Sequence, residues 1–235
     1  MDAVKAMPGV DPDRIALAGY CFGGSGVLMY ALLGLNDVAA IVSIHGGLAF
    51  NPPAGPTVGP KLLILSGGDD DASSDIMDLE ITFDTANATW EITRYSGIEH
   101  ALSVFSDDRY NVFADMRSSD SMYQFLQEIF DEIDFVSSEP AEIRVTAVPY
   151  EDTDGTVLQG YLAMPDDTWK RPLPAVVIFP DWDGVNDYEK KRATMLADMG
   201  YVAFAADIVS ISTAVISAPV SINPFRRLTL VFSSH

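Results

Sequence analysis

The stretch "IALAGYCFGGSG", residues 15–26, constrains the fold most tightly, because an apolar run breaks into glycines around the only cysteine of the 235-residue chain. Ile15–Ala18 reads as a short buried strand, and "SGVLMYALLG" from Ser25 reads as helix. Gly19-Tyr20-Cys21-Phe22-Gly23 therefore joins strand to helix. A glycine two positions either side of a residue on such a turn is what the geometry demands, since side chains there would collide with backbone. A free cysteine beside glycine is ordinarily a small buried apolar residue. The strand–elbow–helix context points instead to a nucleophile, and the helix N-terminus is expected to favour the Cys21 thiolate relative to a reference pKa of about 8.5.

Further apolar runs at 38–44, 62–65 and 90–95, spaced by helical or loop segments, give the rhythm of a mostly parallel sheet with crossover helices. Residues 2–7 read as the end of a helix, and "PGVDPDR" as a turn into the first strand. From Ser118, Met122, Phe125, Leu126, Ile129 and Ile133 recur at helical spacing, with Ser or Asp as N-cap. After "VSSEPAE" the texture changes to two antiparallel strands around Asp154-Gly155, then the buried strand "PAVVIF", the helix "NDYEKKRATMLADMG" ending at Gly200, and the buried strand "YVAFAAD". The expected organisation is a first half over 1–137, a linker at 138–142, a second half over 143–208 and an atypical tail at 209–235.

A hydrophobic content of 48% supports a substantial core, and a net charge of −20 with only 14 Lys and Arg argues against a nucleic-acid partner. One cysteine allows no intrachain disulfide and no Cys/His cluster at zinc-finger spacing, which suits a reducing compartment. "MDAVKAMPGV" lacks the basic and apolar regions of a signal peptide, so a cytoplasmic location is expected. The apolar region from Tyr201 towards Ile222 is interrupted by Asp207 and diluted by Ser and Thr; it reads as a buried strand and an irregular tail, with no membrane role.

A thiol nucleophile needs a base and an orienting acid, which in the α/β-hydrolase arrangement follow in that chain at later strand ends, acid before base. "KLLILSGGDDD" ends a buried strand in Asp69, Asp70 and Asp71, and "EITRYSGIEHAL" ends another in His100. Any of the three aspartates satisfies the spacing. His45 in "SIHGGL" is a rival base, but it precedes the aspartates; His235 is terminal.

These stretches together resemble the dienelactone hydrolase family of α/β-hydrolases over nearly the whole chain. "GYCFGG" is similar to the family's nucleophile elbow, "SGGDD" to its acid loop, "YSGIEHAL" to its histidine loop and "ADMRSSDSMYQFLQEIF" to its closing helix. The resemblance implies Cys21 as nucleophile, Asp70 as acid and His100 as base, with Asp69 and Asp71 as alternatives to Asp70. The second half is similar to the family's amino-terminal part, so the halves stand in inverted order. There the resemblance puts Asp181 where the family carries a glutamate near the nucleophile, and Trp182 at a backbone N–H of the oxyanion hole. The other donor is the N–H of Phe22. An arginine that holds the substrate carboxylate in dienelactone hydrolases is replaced here by Val104, so the implied substrate is a small-molecule ester or lactone other than dienelactone.

The inversion fits a circular permutant, or a slice through a tandem pair, to which the atypical tail points. Either half alone exposes a long apolar sheet edge, so the halves must pair, in one chain or in a swapped homodimer. Pairing in one chain predicts "PAVVIF" beside "IALAGY". The expected activity is hydrolysis through a Cys–Asp–His triad and a thioester acyl-enzyme, with no cofactor and no metal. The alternative is a catalytically silent fragment or interaction module retaining the fold's residues; a redox sensor lacks a resolving cysteine.

Overall fold

The computed structural model describes residues 1–50, 55, 57–130, 142–151, 155–166 and 172–208. The elements are α1 (Asp2–Lys5), β1 (Val10–Tyr20), α2 (Phe22–Leu32), β2 (Ala40–Ile44), β3 (Lys61–Gly67), α3 (Ser73–Thr85), β4 (Trp90–Tyr95), α4 (Val112–Phe130), β5 (Ile143–Glu151), β6 (Val157–Pro165), β7 (Leu173–Phe179), α5 (Asp187–Asp198) and β8 (Val202–Ala205). Eight strands form one sheet in the order β4-β3-β2-β1-β7-β8-β6-β5. Strands β4 through β8 along that order are parallel, and β6 and β5 continue it antiparallel.

The apolar runs form parallel strands because both faces of the sheet are covered, so no alternation with polar residues is needed. Along β1, Ile15 and Leu17 pack with α2 and α3 on one face. Ala16, Ala18 and Tyr20 pack with α4 and α5 on the other. Residues of the first half supply β1–β4 and those of the second supply β5–β8. They meet where β7 lies beside β1, in register from Ile15–Ala175 to Gly19–Phe179, which is the strand adjacency expected for pairing within one chain.

Two local expectations are corrected. Of the turn over "PGVDPDR", only Pro8 and Gly9 are turn and the rest is in β1: Val10 pairs with Leu173, and the register then shifts before Ile15, so the intervening residues bulge out of the ladder. The closing helix begins at Val112, six residues before the expected start, because the Asn111 side chain accepts from the N–H groups of Phe113 and Ala114 and caps it. Of the linker expected at 138–142 only Glu142 lies among the described residues, where its carbonyl accepts from Asp166. Asp154, the tail at 209–235 and with it His235 fall outside them. Among the described residues no helix is long and apolar enough to cross a membrane.

Away from the β1–β7 seam, the halves are joined by Arg192 of α5, which is 2% exposed. It pairs with the buried Asp115 of α4 and donates to the Ser103 carbonyl at 3.1 Å and the Ser119 hydroxyl at 3.2 Å. Its guanidinium lies 4.7 Å from the Phe105 ring and 4.9 Å from the Tyr188 ring. Removing one member of a buried ion pair strands the other charge, so Arg192→Ala should cost about 3–5 kcal/mol of stability by urea denaturation. Arg192→Met with Asp115→Leu, which removes both charges, should recover much of that loss; a single variant as stable as the parent would contradict the arrangement.

Candidate active site

Cys21 sits between the end of β1 and the first residue of α2 with φ 50° and ψ −115°, a conformation that costs a non-glycine residue strain. The turn is held by the Cys21 N–H donating to the Ile44 carbonyl at 3.0 Å. Its glycines are explained by contact. A Cβ on Gly19 would stand 2.2 Å from the Gly23 carbonyl oxygen, and one on Gly23 would stand 2.3 Å from the carbonyl oxygen of Phe179. The second of these contacts crosses from the elbow to the end of β7, so Gly23 is a point where the second half touches the Cys21 turn.

His100 and Asp70 arrive from the loops after β4 and β3. The Cys21 Sγ lies 2.9 Å from His100 Nε2, and His100 Nδ1 lies 2.9 Å from each Asp70 carboxylate oxygen. Of the three aspartates, Asp70 alone faces His100 in this way. Asp71 accepts from the Leu48 N–H and the Ser66 hydroxyl, bracing the loop after β2, and burial raises its carboxyl above the usual range. Asp69 is exposed, with its N–H on the Ile98 carbonyl.

The second half adds Asp181 and Trp182 from the loop after β7. Shorter than glutamate by one methylene, Asp181 still comes close enough to Cys21 to act on its thiol. Its Oδ1 also accepts the Trp182 N–H at 2.5 Å, so that donor is engaged within its own loop. Burial, then Asp181, pushes the Cys21 thiol far above its ordinary value, against a smaller downward pull from the Phe22 N–H. This corrects the expectation of a thiolate favoured by the helix N-terminus: desolvation and two nearby carboxylates outweigh the helix end, and the resting group is a thiol. His100 is raised as well, chiefly by its hydrogen bond to Asp70, with burial opposing.

His45 is not aligned as a base. Fully buried, it places Nε2 3.0 Å from the Ser103 hydroxyl, which in turn lies 2.7 Å from Tyr188. Val104 follows Ser103 in that same loop and is half-buried. Sequence reasoning missed Arg192 and Glu189. Both stand on the buried face of α5, and Arg192 is spaced four from Tyr188 and from Leu196, so a charge inside an apolar helical stripe was the signal. Glu189 closes a capping box with Asn186, and burial pushes its carboxyl up to about 7 against backbone hydrogen bonds that include Asp181.

A sequence profile of the dienelactone hydrolase family matches residues 1–130 and 158–216, and the chain belongs to that family. No curated protein matches it. Among solved structures it is similar to a dienelactone hydrolase-like promiscuous phosphotriesterase from metagenomic libraries, at 27% identity and TM-score 0.49, over 55% of this chain and 57% of that one. A PHB depolymerase from Penicillium funiculosum matches at 13% identity and TM-score 0.55 over 84% of this chain and 81% of that one, a likeness of fold. The chain spans little more than half the length of the dienelactone hydrolase-like structures it matches.

Because the atoms that crowd Gly23, the Phe179 carbonyl and the Pro180 carbonyl oxygen, are all backbone, Gly23→Ala cannot be absorbed by a side-chain rotation. It should lower stability by more than the roughly 1–3 kcal/mol typical of overpacking, or open the β7 loop away from the elbow. A parental melting temperature together with an unchanged Cys21 alkylation rate would contradict this contact.

Proposed function

We propose that this protein hydrolyses a small ester or lactone, with Cys21 as nucleophile, His100 as base and Asp70 as the acid that orients it. The observation that carries the reading is the continuous relay Asp70–His100–Cys21, two contacts of 2.9 Å on three separate loops. Neutral His100 accepts the Cys21 proton on Nε2 while its Nδ1–H stays on Asp70. The thiolate then bonds to the substrate carbonyl carbon, and the carbonyl electron pair moves onto oxygen. Collapse expels the alcohol oxygen, which takes the proton from His100 and leaves a thioester. Water, deprotonated by His100, cleaves the thioester, and the proton returns to Cys21.

The oxyanion is held by the Phe22 N–H at the start of α2 and, once Asp181 swings aside, by the Trp182 N–H. At rest Asp181 occupies that donor beside the thiol, so substrate entry must displace the carboxylate. Inverted order of the halves is no obstacle to this chemistry. The relay lies wholly within the first half, and the second half, paired in cis through β7, brings the oxyanion loop, so no exchange between two chains is needed.

Cys21→Ala should abolish hydrolysis of a small activated ester such as a nitrophenyl acetate, and a parental rate would refute the assignment. Because the base must be neutral and its pKa is raised above 6.5, activity should rise with pH through an inflection above that value. Asp70→Asn removes the main cause of the raise, so it should move the inflection down and cut kcat by about 10²–10⁴. An unmoved inflection would assign the acid limb to another group.

A further inference from the structure

Beside the Cys21–His100 contact stands a third donor that the proposed hydrolysis leaves unused. His45 follows β2 with φ 40° and is fully buried, and its ring meets the His100 ring edge-on, with centroids 5.2 Å apart. Ser103 engages Nε2, while Nδ1 has no hydrogen-bond partner among the described residues. One donor atom from each of Cys21, His45 and His100 falls within 4.8 Å of the others.

We propose that Cys21, His45 and His100 bind a thiophilic divalent cation, zinc foremost, and that the bound ion shuts off hydrolysis. One thiolate and two imidazoles are a donor set that suits this class of metal. With Zn–S near 2.3 Å and Zn–N near 2.0–2.1 Å, a tetrahedral ion separates its donors by roughly 3.3–3.6 Å. The cluster brackets that span, and the Cys21–His100 contact of 2.9 Å has only to open by about half an ångström. Both imidazoles already have the outer partners that orient a ligating histidine: Asp70 on His100 and the Ser103 hydroxyl on His45. Burial holds His45 down to about 3, so its lone pair is free near neutral pH. Asp70 and Asp181 lie close enough to Cys21 to offset the added charge, while Arg192 and Arg109 oppose it from the His45 side.

On binding, the Cys21 S–H bond breaks and its proton passes to buffer. Sulfur bonds the metal, each imidazole donates a lone pair, and no electron is transferred. A fourth position stays open to water. The nucleophile and the base are then both tied to the ion, so hydrolysis stops until a chelator removes it. The inhibitory consequence rests on the proposed triad; the binding itself does not.

The test is a cobalt(II) titration of the full chain, read by absorption. One equivalent should bring in a near-ultraviolet thiolate-to-cobalt band with tetrahedral d–d absorption. The band should vanish in Cys21→Ser. His45→Gln should weaken cobalt binding by about tenfold or more, and zinc inhibition of whatever hydrolysis it retains should move in parallel. Should His45→Gln not fold, Ser103→Ala, which removes the hydroxyl orienting His45, carries the same expectation. Absence of the thiolate band at saturating cobalt, or an unchanged titration in the His45 or Ser103 variant, would overturn the site. A cobalt band without ester hydrolysis leaves the site standing and defeats the functional reading; hydrolysis without the band does the reverse.

Discussion

The parallel pairing of β1 with β7 is the contact from which the rest of the arrangement follows, because it carries the elbow after Tyr20 and the Asp181 loop after Phe179 to the same end of one sheet. Each half is a four-stranded sheet with a long apolar edge, and neither edge can be left to water without exposing backbone groups and core side chains together. Pairing closes both edges at once. It also sets how near the second half comes to the Cys21 turn, which is why Gly23 can bear no side chain beneath the Phe179 carbonyl. Arg192 anchors the same union from the opposite face, spanning from α5 to Asp115 and to the loop that carries His100.

Much of this was legible in the sequence, for identifiable reasons. The buried strands announced themselves as apolar runs because both faces of a parallel sheet are covered, and the elbow because its glycines answer to backbone collisions a few residues away. The order of aspartates before histidine gave the relay's direction, but spacing could not choose among Asp69, Asp70 and Asp71. That choice depends on how the turn after β3 aims each carboxylate, which only three dimensions show. The start of α4 escaped because Asn111 caps it ahead of the amphipathic stripe. The thiol's resting state was misread because the helix end is visible in the sequence, whereas burial and the approach of Asp181 are not.

The electrostatics of Cys21 follow from that approach. A nucleophile activated by its helix alone would belong to the first half in every respect. Here the sulfur is desolvated and faces a carboxylate supplied from some 160 residues away in the chain, so its ionisation reports on whether the two halves meet. The same carboxylate holds the Trp182 N–H, so one side chain of the second half acts both on the thiol and on its own loop.

The most direct test is the pH dependence of Cys21 alkylation by iodoacetamide, compared between the parent and Asp181→Asn. If the halves assemble as described, removing the charge at Asp181 shifts the Cys21 alkylation curve to lower pH, because the second-largest cause of the raised thiol pKa is gone. Superimposable curves would mean that Asp181 does not reach the nucleophile and that the two halves do not share one site.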